Sequence, residues 1–529
     1  MSTFKMREID VQEQPGAQNI SRKGFTRRDE IDMARLGKRQ RFHRIYGFLS
    51  MLGFTTTMMC TWEAVFFANT TAMVDGGPVS LVYGYIFCFF GTLATAASLG
   101  ELASMSPTSG GQYHWVAQLS PEKSKVFLSW LTGWSALTGW WANTASAIYF
   151  AGTMIQGLLV LNKPSYVIER WQGTLLMFAF LIVVVFVNTI AARLLPKIEG
   201  LILSIHIVGF FAILIPLVYL APHSSAEFVF TEFANSSGWS SNGLVWFIAL
   251  MSSNLPFIGY DGPCHMAEEI QNASIIVPWC MVSTVMINGL LGLAMTLVFL
   301  FCIGNLDDAL SSPTGYDFIE VFQNATNSHA GTSIMTAILI VLVMSACFGF
   351  LASASRLTWA LARDRGTPFS NIINNVSERT ALPMNSILLC TALTALICVI
   401  NIASTTAFNA IVSLTIVGLY SSYLIAISLV LKKRILGETV DFGPWTMGPF
   451  GIFVNACSMF FLIISITFSF FPPMYPVTNT NMNWSIVVFG GEMILGLCWY
   501  AIRGRHQYNG PIVESPIVLD DQIVNGSFS

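Results

Sequence analysis

Glu63, His206 and Asp261 are ionisable residues that stand inside otherwise apolar stretches of this chain. Burying such groups without a partner is costly, which makes each a functional suspect. Glu63 ends the hydroxyl-rich segment Phe54-Thr-Thr-Thr-Met-Met-Cys-Thr-Trp-Glu63. A carboxylate there, in a low-dielectric setting, can pair a cation or carry a proton. His206 interrupts Leu203-Ser-Ile-His-Ile-Val, and an imidazole that titrates near pH 6.5 suits proton exchange. A hydrogen-bonded packing role is the competing reading for that histidine. Asp261 lies in Asn254-Leu-Pro-Phe-Ile-Gly-Tyr-Asp-Gly-Pro263, a stretch with two prolines and two glycines. It reads as an anchor that accepts bonds from freed backbone N–H groups. Glu101, Glu268, Glu269, Arg356, Arg363 and Asp364 fall at the ends of apolar runs and read as ion pairs of a gate. The seven histidines are scattered without metal-ligand spacing and no nucleophile–base pairing stands out, so no metal, cofactor or enzymatic activity is expected.

The elements that hold these residues are membrane helices. Charged residues make up 10% of the 529, against about 25% in soluble domains. Hydrophobic residues reach 54% and the mean hydropathy is +0.62. This balance excludes a cytosolic enzyme, a nucleic-acid binder and a secreted disulfide scaffold, and makes the lipid bilayer the solvent for much of the surface. A membrane helix needs about 20 apolar residues. Twelve runs come near that length, at about 46–68, 79–104, 126–158, 172–192, 198–221, 243–266, 277–303, 331–355, 384–401, 407–431, 450–471 and 484–502. With both termini cytoplasmic, 24 of the 26 Lys and Arg fall inside, and only Lys163 and Arg170 remain outside. Residues 1–44 and 503–529 are polar and are expected to be disordered cytoplasmic tails around a transporter domain at 45–502. Asn235, Asn324 and Asn483 open sequons on the outer side, where glycans can be attached.

Helices that cross lipid keep their backbone hydrogen bonds internal, and irregular backbone at that depth usually lines a cavity. In the sixth run Pro256 removes an N–H while Gly259 and Gly262 loosen the next turns, which predicts a break rather than a kink. In the first run the threonines can bond back to carbonyls four residues earlier and bend the helix. The two runs correspond if the first ten helices form two inverted five-helix repeats. Broken helices at matching positions of such repeats point to a transport site.

Four ordered motifs then carry a family resemblance. Gly100-Glu-Leu-Ala103 with Pro107-Thr-Ser-Gly-Gly-Gln-Tyr-His-Trp115 resembles the end of helix two in amino acid–polyamine–choline permeases. Gly259-Tyr-Asp-Gly followed by His265-Met-Ala-Glu-Glu-Ile-Gln-Asn272 is similar to their sixth-helix signature. Ser355-Arg-Leu-Thr-Trp-Ala-Leu-Ala-Arg-Asp-Arg-Gly-Thr-Pro-Phe-Ser370 resembles the segment after helix eight. Pro444-Trp-Thr-Met-Gly-Pro-Phe-Gly451 and Tyr508-Asn-Gly-Pro511 are similar to the fungal amino acid/choline transporter branch. The resemblance implies an all-α fold of the leucine-transporter type, with five-plus-five inverted repeats and two further helices. It also implies a substrate site at Met59, Cys60, Thr61 and Trp62 in helix one and at Leu255, Pro256, Phe257, Ile258 and Gly259 in helix six. Relatives carry glycines at the first break where this chain has Cys60-Thr61-Trp62, which favours a substrate whose carboxylate is distant or absent. Trp62 can face an ammonium, a contact worth about 0.5–2 kcal/mol, or can pack against a neighbouring helix. Phe257 and Tyr260 carry the same alternatives. His206 falls near the position where sodium-independent relatives place a lysine.

Together these readings lead to an expected permease that imports amino acids or small amines such as 4-aminobutyrate or choline, with proton coupling through Glu63 and His206. Asp261, Glu101 and Arg356 are the further coupling or gating candidates. A nutrient sensor of the same fold is the alternative. A monomer in the plasma membrane is expected, with the vacuolar membrane as the other location.

Overall fold

The computed structural model describes residues 24–514, apart from the side chains of 405–409. Among these residues the chain is a bundle of helices with a single two-residue β-pairing, Asp75–Gly76 against Ala234–Asn235. The helices that matter below are α1 (Arg27–Arg35), α2 (Phe48–Met59), α3 (Thr61–Phe67), α4 (Gly77–Met105), α5 (Gln112–Leu119), α6 (Lys125–Asn162), α7 (Arg170–Thr189) and α8 (Leu195–Leu220). They continue with α9 (Asn242–Asn254), α10 (Ala273–Phe301), α11 (Asp317–Thr326), α12 (His329–Arg363), α13 (Met384–Ala403), α14 (Thr405–Ile435), α15 (Gly451–Phe468) and α16 (Ser485–Trp499). Among the described residues ten spans are long and apolar enough to cross a bilayer, namely α4, α6, α7, α8, α10, α12 to α15, and α16 together with the turns that carry it on to Gln507. The ninth and tenth runs, close in sequence, are separate helices parted at Ser404.

The first and sixth runs are not single helices. α2 stops at Cys60, whose φ of 50° and ψ of 40° put a non-glycine residue in the left-handed region, and α3 restarts at Thr61. Thr55 and Thr57 donate to the carbonyls of Met51 and Gly53, at 2.8 and 2.9 Å, as expected of threonines that bend a helix. In the sixth run α9 passes into a 3₁₀ turn at Leu255–Phe257, Ile258 is extended, and a short helix resumes at Gly262–His265.

Small residues set the closest helix contacts. A Cβ built on Gly418 of α14 would lie 2.6 Å from the backbone nitrogen of Gly139 in α6. Gly53 likewise brings α2 against Leu203 of α8.

The segment before α2 departs from the expected disordered tail. Within residues 24–44, α1 begins with a capping box in which Thr26 and Asp29 satisfy each other's backbone N–H groups. Asp29 also accepts from the backbone N–H groups of Asn272 and Ala273, and Lys38 and Arg44 are buried. From the other tail, Tyr508 is buried against Ser129 at 2.5 Å, and the Glu514 N–H donates to the Gly37 carbonyl at 2.7 Å. Residues 1–23 and 515–529, the remainder of the expected tails, lie outside the described residues.

Candidate functional site

The two breaks meet at one small cavity. Met59 and Cys60 line it from the first break, Leu255 and Ile258 from the second, and Asn143, Ser146 and Phe150 of α6 and Phe350 of α12 complete much of the wall. Its volume is about 40 Å³, room for a few waters, whereas a cavity that holds benzene is nearer about 150 Å³. A bound substrate therefore has to push the walls apart. No lining residue is charged; Ser146 bonds back to the Ala142 carbonyl at 2.8 Å, and the Asn143 amide nitrogen is a buried donor with no partner among the described residues.

The remaining expected site residues turn elsewhere. Trp62 packs on His206 and Phe210, with ring centroids 5.6 and 5.7 Å away. Phe257 stacks between Tyr85 and Phe89. The Thr61 methyl faces Gly292 of α10, and Pro256 is buried. Gly259 takes φ +110°, and a Cβ there would lie 3.2 Å from the Phe350 ring. A left-handed residue with a side chain costs about 1–3 kcal/mol, and here the added atom also presses on a cavity wall. Gly259→Ala is expected to slow uptake by roughly tenfold at unchanged surface level, measured with surface biotinylation beside the uptake assay; wild-type rates would remove this glycine from the site's geometry.

Behind the first break, Glu63 Oε1 lies 2.6 Å from His206 Nδ1, and both side chains are fully buried. Glu63 Oε2 and His206 Nε2 have no partner among the described residues. The pair joins α3 to α8, while Trp62 covers the imidazole face. This is a titratable site next to the cavity, with the Cys60 thiol of the break in reach of Glu63.

Asp261 accepts from the Gln112 side chain at 2.8 Å rather than from the expected backbone donors, and it makes no helix-cap bond. Gln112 belongs to the Pro107–Trp115 motif, several of whose other side chains are also committed. Tyr113 and His114 both reach Asp364, at 2.8 and 2.9 Å, and Trp115 donates to the Ser106 carbonyl. Arg356 pairs with Glu269 at 2.8 Å and Arg363 with Glu268 at 3.1 Å. Glu101 accepts from Arg434 at 2.7 Å, and from Thr446 and the Met447 N–H, so it fastens the Pro444–Gly451 segment to α4. The separate sequence motifs thus interlock at one end of the bundle. Sequence reasoning missed Lys38, which pairs with Asp364 at 3.2 Å, and also Arg434 and Asn143.

Asn235 and Asn324 are exposed. Asn483 is buried, and its amide nitrogen donates to the Ser469 and Phe471 carbonyls, so a glycan there would have to displace that packing.

Two helices interrupted at a shared cavity, inside a bundle of ten apolar membrane-length helices, define a multi-pass membrane transporter. The chain belongs to the amino acid permease family, whose model matches residues 46–491. It is 32% identical over 439 residues to a Macrophomina phaseolina protein whose name assigns it to amino acid/polyamine transporters, covering 82% of this chain and 96% of that one. The Saccharomyces cerevisiae choline transporter is 28% identical over 462 residues, covering 87% and 81%. Amino-acid permease 2 of Neurospora crassa is 29% identical over 475 residues, covering 89% and 86%.

Proposed function

We propose that this protein is a proton-coupled importer of amino acids or small amines, 4-aminobutyrate and choline among them, and that it works by alternating access. The observation that carries the reading is the meeting of both helix breaks at one cavity, with the buried Glu63–His206 pair three residues past the first break. In this reading the chain crosses the membrane twelve times, ten spans being continuous and two broken. These form two inverted five-helix repeats plus two helices, with both termini cytoplasmic. The end rich in Lys and Arg is then the inner end, and its ion pairs must part before substrate can leave.

Proton binding turns Glu63 and His206 from a pair with net charge −1 into a neutral one. Removing a buried net charge favours the rearrangement that carries the site across. With no charged lining residue, the substrate's charge is met by freed backbone groups and the Asn143 amide, while the apolar walls suit methylene or methyl groups. The names of the relatives bracket the same class: amino acids, polyamines and choline. The expected setting is a plasma-membrane monomer with glycans at Asn235 or Asn324.

The test is uptake of radiolabelled choline, 4-aminobutyrate and a mixed amino-acid panel into cells lacking their own permeases, at pH 5 and pH 7. Accumulation of one label that rises at pH 5 and collapses with a protonophore is the expected result. Binding without accumulation, by protein shown to reach the surface, would replace the importer with a sensor.

A further inference from the structure

α8 carries a second buried acid that the site described above does not use. Glu199 is 1% exposed and sits seven residues before His206. Two helical turns return it to nearly the same face, about 10 Å nearer the inner end. Its Oε2 lies 2.7 Å from the Thr57 hydroxyl, while Oε1 has no partner among the described residues. Among the described residues no salt bridge reaches it. As a carboxylate it would hold a full negative charge in the bundle on one neutral donor, which is a costly arrangement.

The neutral acid fits the same contacts better. Thr57 lies 2.9 Å from the Gly53 carbonyl and can give its own proton there. The Thr57 oxygen is then free to accept the O–H of a protonated Glu199. Hydroxyl and acid together form a short chain in which every proton has an acceptor.

The seam between α8 and the two halves of the first run therefore holds two rungs, Glu63–His206 from α3 beside the cavity and Thr57–Glu199 from α2 nearer the inner end. Past the second rung comes Tyr46, close enough to interact with both Glu199 and Glu269. Glu269 is paired with Arg356 of α12. From α2 the facing group is Thr57, and on α8 itself Lys197 is exposed. The ionisable groups around Glu199 thus lie at its two ends, with the Glu63–His206 pair on the cavity side and the Glu269–Arg356 pair on the inner side. Gly53 holds α2 tightly over this seam, with Leu203 and the Glu199 carbonyl beneath it.

The geometry points to Glu199 as a second proton-binding site, which takes the proton released by the Glu63–His206 pair and passes it to the inner solution when α2 lifts from α8. As the seam opens, Glu199 gives its own proton to the inner solution and becomes a carboxylate; one proton then leaves the pair and restores the acid, so one proton is delivered inside for each one the pair gives up. A separation of about 10 Å excludes direct transfer, so water admitted to the loosened seam carries the proton between the rungs. This assignment rests on the proton-coupled reading above.

The experiment uses the purified full chain in proteoliposomes, with whichever label of the choline, 4-aminobutyrate and amino-acid panel the wild type takes up. Glu199→Gln keeps the shape and a hydrogen bond to Thr57 but cannot titrate. It is expected to lose uphill accumulation driven by an inward proton gradient while retaining exchange of label across the membrane at equal pH. Glu199→Asp, which can titrate, is expected to regain accumulation with a shifted pH profile. Wild-type accumulation by E199Q would overturn the relay while leaving proton coupling intact. If wild-type uptake itself ignores the gradient, the coupled reading and the relay fall together. Should E199Q fail to reconstitute, E199D decides: a shifted pH profile supports the relay, and an unshifted one overturns it.

Discussion

Asp364→Asn is expected to loosen the inner end of the bundle and to cost about 3–5 kcal/mol, the usual penalty for stripping one partner from a buried ion pair. Asp364 is fully buried just past the end of α12 and organises four contacts. Its Oδ1 accepts from Lys38 at 3.2 Å and from the Ile512 N–H at 3.1 Å; its Oδ2 accepts from Tyr113 and His114. Burial raises the cost of charging this acid, but Lys38 and Arg363 outweigh it and hold the carboxyl well below the usual range. An amide in its place turns a donor toward two of those donors and leaves the Lys38 ammonium buried without its counter-charge. Burial, and then the neighbouring Arg363, already push the Lys38 pKa down.

The same hub sets a pH dependence. Burial, and then Lys38, lower the His114 imidazole to about 4, so at neutral pH it donates through Nε2 to Asp364 and accepts at Nδ1 from Thr108, 2.7 Å away. Its pKa is depressed on folding, so below about pH 6.5 the unfolded chain binds a proton that the folded one refuses. Wild-type stability should therefore fall as the pH is lowered from about 6.5 toward about 4. Thermal melts of detergent-purified protein at pH 7 and pH 5, with limited proteolysis of the segment before α2, check both points. A D364N melt superimposable on wild type would mean that the hub is not what fastens the termini.

Hydropathy encodes where a helix runs, and that much of the fold is legible in the sequence. The run at 79–104 became α4, and Pro256 with Gly259 marked the second break because both act on the backbone of their own segment. Rotation about a helix axis is a different matter. Lipid and core are both apolar, so hydropathy does not say that Trp62 faces α8 or that Phe257 faces α4. Those orientations arise from neighbours distant in the chain. Cys60 shows a related limit: nothing in its residue type marks it for positive φ, yet it adopts the left-handed conformation. Two further signals lie in the sequence itself. Thr26-x-x-Asp29 is a capping pattern inside the supposed disordered tail. Glu199 is an acid within the fifth run on the face of His206, and only the packing of α2 shows it to be buried.

Taking apart the Glu63–His206 pair should separate what it does for the fold from what it does for coupling. His206→Leu alone leaves a fully buried carboxylate without a partner, and Glu63→Leu alone leaves a buried imidazole free to demand one. Each is expected to lose about 3–5 kcal/mol and much of its surface level. The double variant E63L/H206L replaces both with apolar groups of comparable size, under the cover of Trp62 and Phe210. Exchanging a buried pair for well-packed apolar residues is often neutral or stabilising, so the double variant should recover most of the wild-type melting temperature and surface level. Its transport should not recover. With no proton to bind, the neutral seam no longer distinguishes loaded from unloaded states. Uptake should then be flat between pH 5 and pH 7 and stop at equilibration, with exchange of label preserved. The pairing predicts a positive coupling energy for stability between the two sites and complete loss of the pH response in the same protein. Protonophore-sensitive accumulation by the double variant would show that the pair only packs α3 against α8, and the coupling proton would then have to bind elsewhere in the bundle.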